Sequence, residues 1–364
     1  MLEVFERNNA IPLTKNHKKM RAATLAAVLL HDVGHGPYSH VFEEISKSLK
    51  KHKSHEKITL EIIKETEIAT ILKKHKIFNE VTAFFETDNP SNPYTTILSS
   101  EMDADRLDFL TRDRYFTGIQ QGQIDLAWLL DSLRIEDVAY GPAEGQSKKA
   151  FVVLQKGLGA VEGYVTAYLK LYESIYFHKT TRGIQLLAQH ALIDALSNGK
   201  RLAKTGVRNP LISYFNAKPK DQLKLYLQLD DSDILRLLKD LSVNKLGLAS
   251  DFAKRFLLRK PLRCYEPNDP NQDPEMSRTN TLSERLKEKR VWFHMDYPEP
   301  KGIKQYEVMD ENFLKNITIK VDTHEFRALG RIRRHIPLKT DLHIRFYFKS
   351  EKDRKTAKNL WKKI

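Results

Sequence analysis

The stretch Leu29 to Glu44 reads LLHDVGHGPYSHVFEE, and its interpretation decides the fold. Its first two residues close an apolar run, Ala26-Ala27-Val28-Leu29-Leu30, that leads directly into His31 and Asp32. Gly34 and Gly36-Pro37 then end the helix sharply and bring the backbone close to whatever His31 and Asp32 bind. The last turn of so apolar a helix is expected to be buried. An imidazole beside a carboxylate there costs several kcal/mol unless both are satisfied. A divalent cation satisfies both, because neutral imidazole and carboxylate suit Mn, Fe, Co, Ni or Mg. The plainer reading of a lone His-Asp pair is a core histidine hydrogen-bonded to its neighbour. Its company argues otherwise, since His31, His35, His40, His52 and His55 are five of the thirteen histidines.

A second cluster lies at Ser100 to Gly118, SEMDADRLDFLTRDRYFTG. On a helix Asp105, Asp108, Phe109 and Arg112 share one broad face, where a carboxylate, an aromatic ring and a guanidinium line one pocket. Ser100 and Asp103 have the spacing of a capping box at the helix start, where Asp103 belongs. An exposed helix laced by ion pairs is the alternative. Leu107, Phe109, Leu110, Tyr115 and Phe116 make the segment too apolar for that.

Around these clusters the chain reads as a folded globular protein, with 41% hydrophobic and 30% charged residues in 364. That length allows one large domain and a smaller one. No stretch is long and apolar enough to cross a bilayer, so no membrane association is expected. Residues Met1 to Lys19 lack a secretory leader's apolar region. The single cysteine, Cys264, allows no intrachain disulfide and suits a cytoplasmic setting. A formal charge of +14 implies attraction to polyanions, nucleic acid among them, although a solvated basic surface produces the same number. No zinc-finger, phosphate-cradling glycine loop or RNA-reading signature accompanies it.

Helical periodicity covers His17–Asp32, Ser100–Asp113, Ile124–Leu133, Leu158–Ala195 and Asp231–Leu241. Ile135–Leu154 reads as a hairpin punctuated by Tyr140-Gly141-Pro142 and Glu144-Gly145. Residues 266–280, EPNDPNQDPEMSRTN, hold three prolines and almost nothing apolar, as a linker does. Beyond them Val291–Met295, Asn316–Val321 and His343–Phe348 alternate like strands, and Glu351–Lys363 resembles a closing basic helix. The expectation is a mainly α protein: a helical domain over 1–265 with a short β-hairpin, a linker over 266–285, and a small basic α+β region over 286–364.

The two clusters, together with YFHKTTRG (Tyr176 to Gly183), resemble the HD-domain deoxynucleoside triphosphate triphosphohydrolases over about the first 265 residues. That resemblance implies a helical HD fold and a divalent metal held by His31, Asp32 and Asp105. It implies hydrolysis of dNTPs to deoxynucleoside and triphosphate, in a homo-oligomer of two or four chains. His40, Glu43 and His55, the last in KSHEK, match the group that handles protons beside the scissile phosphate. His35 and Arg106 match residues that meet the phosphates, and Phe109, Asp113 and Tyr176 match residues around the sugar. Phe109 replaces a frequent tyrosine and Glu43 a frequent aspartate. Two alternatives stay open: an HD phosphohydrolase acting on a monophosphate, cyclic nucleotide or alarmone, and a non-catalytic nucleotide- or nucleic-acid-binding protein.

The family's first histidine ligand lies upstream of the HD pair, and His17 is the one upstream candidate in this sequence. On a continuous helix it stands about 21 Å from His31, at 1.5 Å per residue. It is therefore expected to be a solvated residue at the helix start. The resemblance then implies an N-terminally incomplete domain, or a variant without that ligand.

Overall fold

The computed structural model describes residues 1–8, 11, 13–86, 92–120, 123–139, 147–267, 275–296, 317–322, 325–328 and 344–364. Among the described residues the chain is mainly helical, with two small sheets. It groups into two compact units, one from residues 1–35, 55–174 and 300–340, the other from 36–54, 175–299 and 341–364. The chain passes from the first to the second between His35 and Gly36, inside the stretch that opened the sequence reading. Residues 300–340 thus group with the first unit and residues 341–364 with the second.

In the first unit the helix His17–Leu30 buries Ala23, Thr24 and Ala27. Ala23 packs with Ile63, Leu72, Ile77 and Val81, and Ala26 and Leu30 lean on the same cluster. The expectation of a wholly buried last turn is corrected here, since Leu29 is 81% exposed. A straight helix turned to the core by Ala23 and Ala27 at i,i+4 must present Leu25 and Leu29 on another side.

The helix Ala104–Thr117 starts later than Ser100. Its N-cap is Asp103, whose carboxylate accepts from the Arg106 N–H at 2.8 Å, while the Ser100 N–H donates to the other oxygen at 3.3 Å. It stops at Gly118, whose φ of 70° is open to glycine. Leu107 and Leu110 are buried, but Tyr115 and Phe116 are 80% and 78% exposed. They fall in the last turn, beyond the buried stripe, so their apolar character did not predict burial. The long stretch Leu158–Ala195 divides into Leu158–Leu171, a π-helical turn Tyr172–Tyr176 and Lys179–Ser197.

The hairpin exists as Leu133–Ala139 paired antiparallel with Ser147–Leu154, Ile135 opposite Phe151. The expected turn at 140–146 lies outside the described residues. Thr318–Asp322 adds parallel to the hairpin's second strand, and Glu325–Ala328 follows antiparallel. A predicted C-terminal strand thus completes the sheet of the first unit, covering a hairpin edge that would otherwise offer unpaired backbone groups.

In the second unit Lys179–Ser197 packs with Leu248–Leu257 and Asp231–Val243. The strand Arg345–Phe348 lies between Arg263–Tyr265 and Phe293–Asp296, antiparallel to both. Helices Glu275–Glu288 and Glu351–Trp361 contribute Leu282, Leu286, Ala357 and Trp361 to a core with Phe346 and Phe348. The linker expected over 266–285 therefore gives way to helix from Glu275. Leu282 and Leu286 supply the i,i+4 contact that a largely polar composition hid. Among the described residues no helix is long and apolar enough to cross a membrane.

Candidate metal centre

The site begins with a close approach between two segments of the first unit. A Cβ on Gly34 would lie 2.2 Å from the His55 carbonyl oxygen and 2.4 Å from the Thr59 nitrogen. Glycine alone lets the turn after His17–Leu30 rest on the helix His55–Glu65. Buried Thr59 fastens the approach: its hydroxyl accepts from the Gly34 N–H at 3.0 Å and donates to the His31 carbonyl at 3.0 Å. Through this join the His55 ring stacks on His35, centroids 4.0 Å apart.

His31 occupies the position just after the last helical residue. Its Nδ1 lies 2.7 Å from the Val28 carbonyl, which accepts only, so Nδ1 carries a proton and Nε2 is left to face the Asp32 and Asp105 carboxylates. Nε2 stands 3.3 Å from Asp32 Oδ2 and 3.4 Å from Asp105 Oδ1. It is buried and makes no aligned hydrogen bond with either. Asp105 comes from the first turn of Ala104–Thr117. The second Asp32 oxygen is 3.6 Å from His35 Nε2. Two sets result, His31–Asp32–Asp105 and Asp32–His35–His55, each with donor atoms within 4.8 Å of one another and joined through Asp32.

The electrostatics follow from this crowding. The adjacent Asp105 carboxylate raises the His31 ring to about 9 against the opposing effect of burial, with the Val28 carbonyl and Asp32 adding to it. His31 holds the Asp105 carboxyl below its usual range. Burial pushes Asp103 up to about 6, against Arg106 and the backbone N–H groups it accepts from.

The residues present fit a divalent cation. Ligands at about 2.1 Å, set some 90–109° apart, lie about 3.0–3.4 Å from each other, the spacing found around His31 Nε2. One imidazole and two carboxylates are a donor set for Mn, Fe, Co, Ni or Mg. The Asp32 and Asp105 side chains are half-exposed, so positions remain for water or substrate oxygen.

Other predicted residues are placed differently. Arg106 donates to the Ser100 carbonyl and to the buried Asp103 carboxylate, so one end of its guanidinium is committed to its own helix start. Asp108 and Arg112 pair with each other on the surface, side chains 62% and 57% exposed. The shared face predicted for Asp105, Asp108, Phe109 and Arg112 thus divides, and Phe109 and Asp113 are half-buried. His17 is not solvated. It contacts the Tyr94 hydroxyl at 2.9 Å and Glu6 at 3.1 Å. His40 and Glu43 belong to the second unit, on the helix His40–Ser48, with His40 Nδ1 3.5 Å from the buried Glu43 carboxylate. Tyr176, also in that unit, is half-buried in the π-helical turn.

Sequence reading missed two features: the second donor set around Asp32, and Thr59. The spacing of His31-Asp32 and His35 held the signal for the first, since i and i+3 or i+4 meet on a turn. A threonine one turn into the helix that begins at His55 gave none until the contact with Gly34 was known.

Residues 7–110, which include all of His31, Asp32, His35, His40, Glu43, His55 and Asp105, match the HD domain family. The chain is 32% identical over 274 residues to the protein YwfO of Bacillus subtilis (strain 168), covering 74% of this chain and 58% of that protein. It is 32% identical over 173 residues to MJ1154 of Methanocaldococcus jannaschii, covering 48% of this chain and 34% of that one. The chain thus spans less than two thirds of either relative. Among solved structures, a phosphohydrolase from Bacteroides thetaiotaomicron superposes with a TM-score of 0.67 at 23% identity, over 91% of this chain and 80% of that chain. A protein from Aquifex aeolicus superposes with a TM-score of 0.63 at 22% identity, over 100% and 82%. At these identities the likeness speaks for the fold.

Proposed function

We propose that this protein is a metal-dependent phosphohydrolase acting on a nucleotide, with dNTPs cleaved to deoxynucleoside and triphosphate as the specific reaction. The observation that carries the reading is His31 Nε2, buried between two carboxylate oxygens at 3.3 and 3.4 Å while Nδ1 is pinned to the Val28 carbonyl. A cation held there supplies an activated water and neutralises charge building on the phosphate. His31, Asp32 and Asp105 hold it. His35, stacked on His55 beside Asp32, presents an imidazole to a phosphate oxygen. The resemblance gives His40, Glu43 and His55 the proton-handling role, with the Glu43 carboxylate 3.5 Å from the His40 ring. By the same resemblance Phe109, Asp113 and Tyr176 are assigned to sugar recognition.

One observation favours a wider substrate range. Arg106, the second phosphate contact implied by the resemblance, donates to Ser100 and Asp103, which weakens the case for a dedicated triphosphate clamp. A panel of dNTPs, ribonucleotides, monophosphates, cyclic nucleotides and alarmones, incubated with each divalent metal, separates the readings by product. Tripolyphosphate with free deoxynucleoside supports the specific reaction. Phosphate or pyrophosphate as product assigns the site to another nucleotide, and absence of any cleavage with metal bound refutes hydrolysis.

A further inference from the structure

A cavity of about 700 Å³ lies wholly within the second unit. It is walled by the turn after the helix His40–Ser48, the end of Lys179–Ser197, and the segment running through the helices Gly199–Ala203 and Pro210–Asn216. Leu202 and Phe215, both buried, and half-buried Val207 provide an apolar lining. Among the described residues that line it, Lys50, Lys51 and Arg208 are the charged side chains and none is a carboxylate. The Lys51 ammonium donates to the Phe215 carbonyl, which fixes one cation against the wall.

The sequence around the cavity has the same sign. Residues 47–53, KSLKKHK, hold four lysines and no acid, and residues 199–208, GKRLAKTGVR, hold two lysines and two arginines and no acid. Two separate segments therefore converge their positive charge on one concavity. Lys50, Lys51 and Arg208 bring three like charges to that lining, an arrangement that an anionic ligand relieves. A purely solvated basic surface needs no apolar hollow. The volume lies in the range of pockets for small organic ligands, which pair an apolar lining with a few convergent polar groups.

We propose that this cavity binds a nucleoside polyphosphate, its base or other flat moiety against Leu202, Val207 and Phe215 and its phosphates among Lys50, Lys51 and Arg208. The inference is independent of the metal centre, whose residues lie in the first unit.

The test is equilibrium binding of N-methylanthraniloyl-ATP, followed by fluorescence, to the full chain carrying Asp105→Asn in EDTA, which silences the metal centre. Saturable binding is expected at one site per chain, competed by ATP. Arg208→Gln with Lys50→Gln should weaken it at least about tenfold, as loss of charge-assisted phosphate contacts does. Arg208→Lys should retain most of it. These side chains are exposed, so the fold is not at risk, and circular dichroism checks it. Absence of saturable binding to millimolar probe overturns the proposal, as does binding that ignores the double substitution. Displacement by single-stranded oligonucleotides that tightens with their length also overturns it, because the segments then form a nucleic-acid track rather than a nucleotide site.

Discussion

The Thr59 hydroxyl stands 3.0 Å from the Gly34 nitrogen and 3.0 Å from the His31 carbonyl oxygen, so one buried side chain ties the HD turn to the helix that carries His55. Thr59→Val removes both bonds at nearly constant volume. The expected cost is about 1–3 kcal/mol of stability. Because the tie positions the backbone of a candidate ligand, divalent-metal affinity should fall about 10–100-fold, the usual cost of losing an outer contact. Thr59→Ser should restore affinity. Titration calorimetry with Mn checks both, and unaltered affinity in Thr59→Val would remove Thr59 from the site's support.

Gly34→Ala should be worse. Its methyl would meet backbone atoms at 2.2 and 2.4 Å, which cannot yield as a flexible side chain does. Overpacking of this kind costs about 1–3 kcal/mol or more, and the His35–His55 stack should separate. A thermal melt tests the stability, and the histidine ring resonances test the stack. A melt equal to that of the unaltered protein would contradict the close approach.

Stability should depend on pH through the second unit. His190 Nε2 lies 3.1 Å from His294 Nδ1. Burial, with His294 adding to it, lowers His190 to about 4, and burial also lowers His294. A histidine lowered on folding leaves stability intact above its unfolded value near 6.5. Stability is then lost as pH falls from there toward about 4, by about 1–3 kcal/mol. His190→Gln, which keeps a hydrogen-bonding side chain, should flatten that window in urea titrations at pH 4 to 7. An unchanged slope would refute the assignment.

Much of this was legible in the sequence, and the exceptions have local causes. Periodicity placed the helices at His17 and Asp231, and the glycine and proline punctuation marked the hairpin. The residues named from the two motifs, His31, Asp32 and Asp105, come together although Asp105 lies far along the chain. Pattern could not reveal which side of an apolar helix faces the core, so Leu29, Tyr115 and Phe116 were misplaced. Nor could it foresee Arg106 turning to its own N-cap, because that depends on Asp103 being buried. Thr318–Asp322 joined the hairpin sheet because strand pairing is non-local, and no window of sequence contains both partners.

The most direct test of the metal centre is a titration of the unaltered chain and of Asp105→Asn with Mn, supported by elemental analysis. Asparagine keeps the shape of the side chain and removes its charge. Tight binding of divalent metal to the unaltered chain is predicted, weakened by about 100-fold or more in Asp105→Asn, since loss of a direct ligand should exceed the cost of losing an outer contact. Equal affinity in the two proteins, or none in either, would contradict a cation held by His31, Asp32 and Asp105.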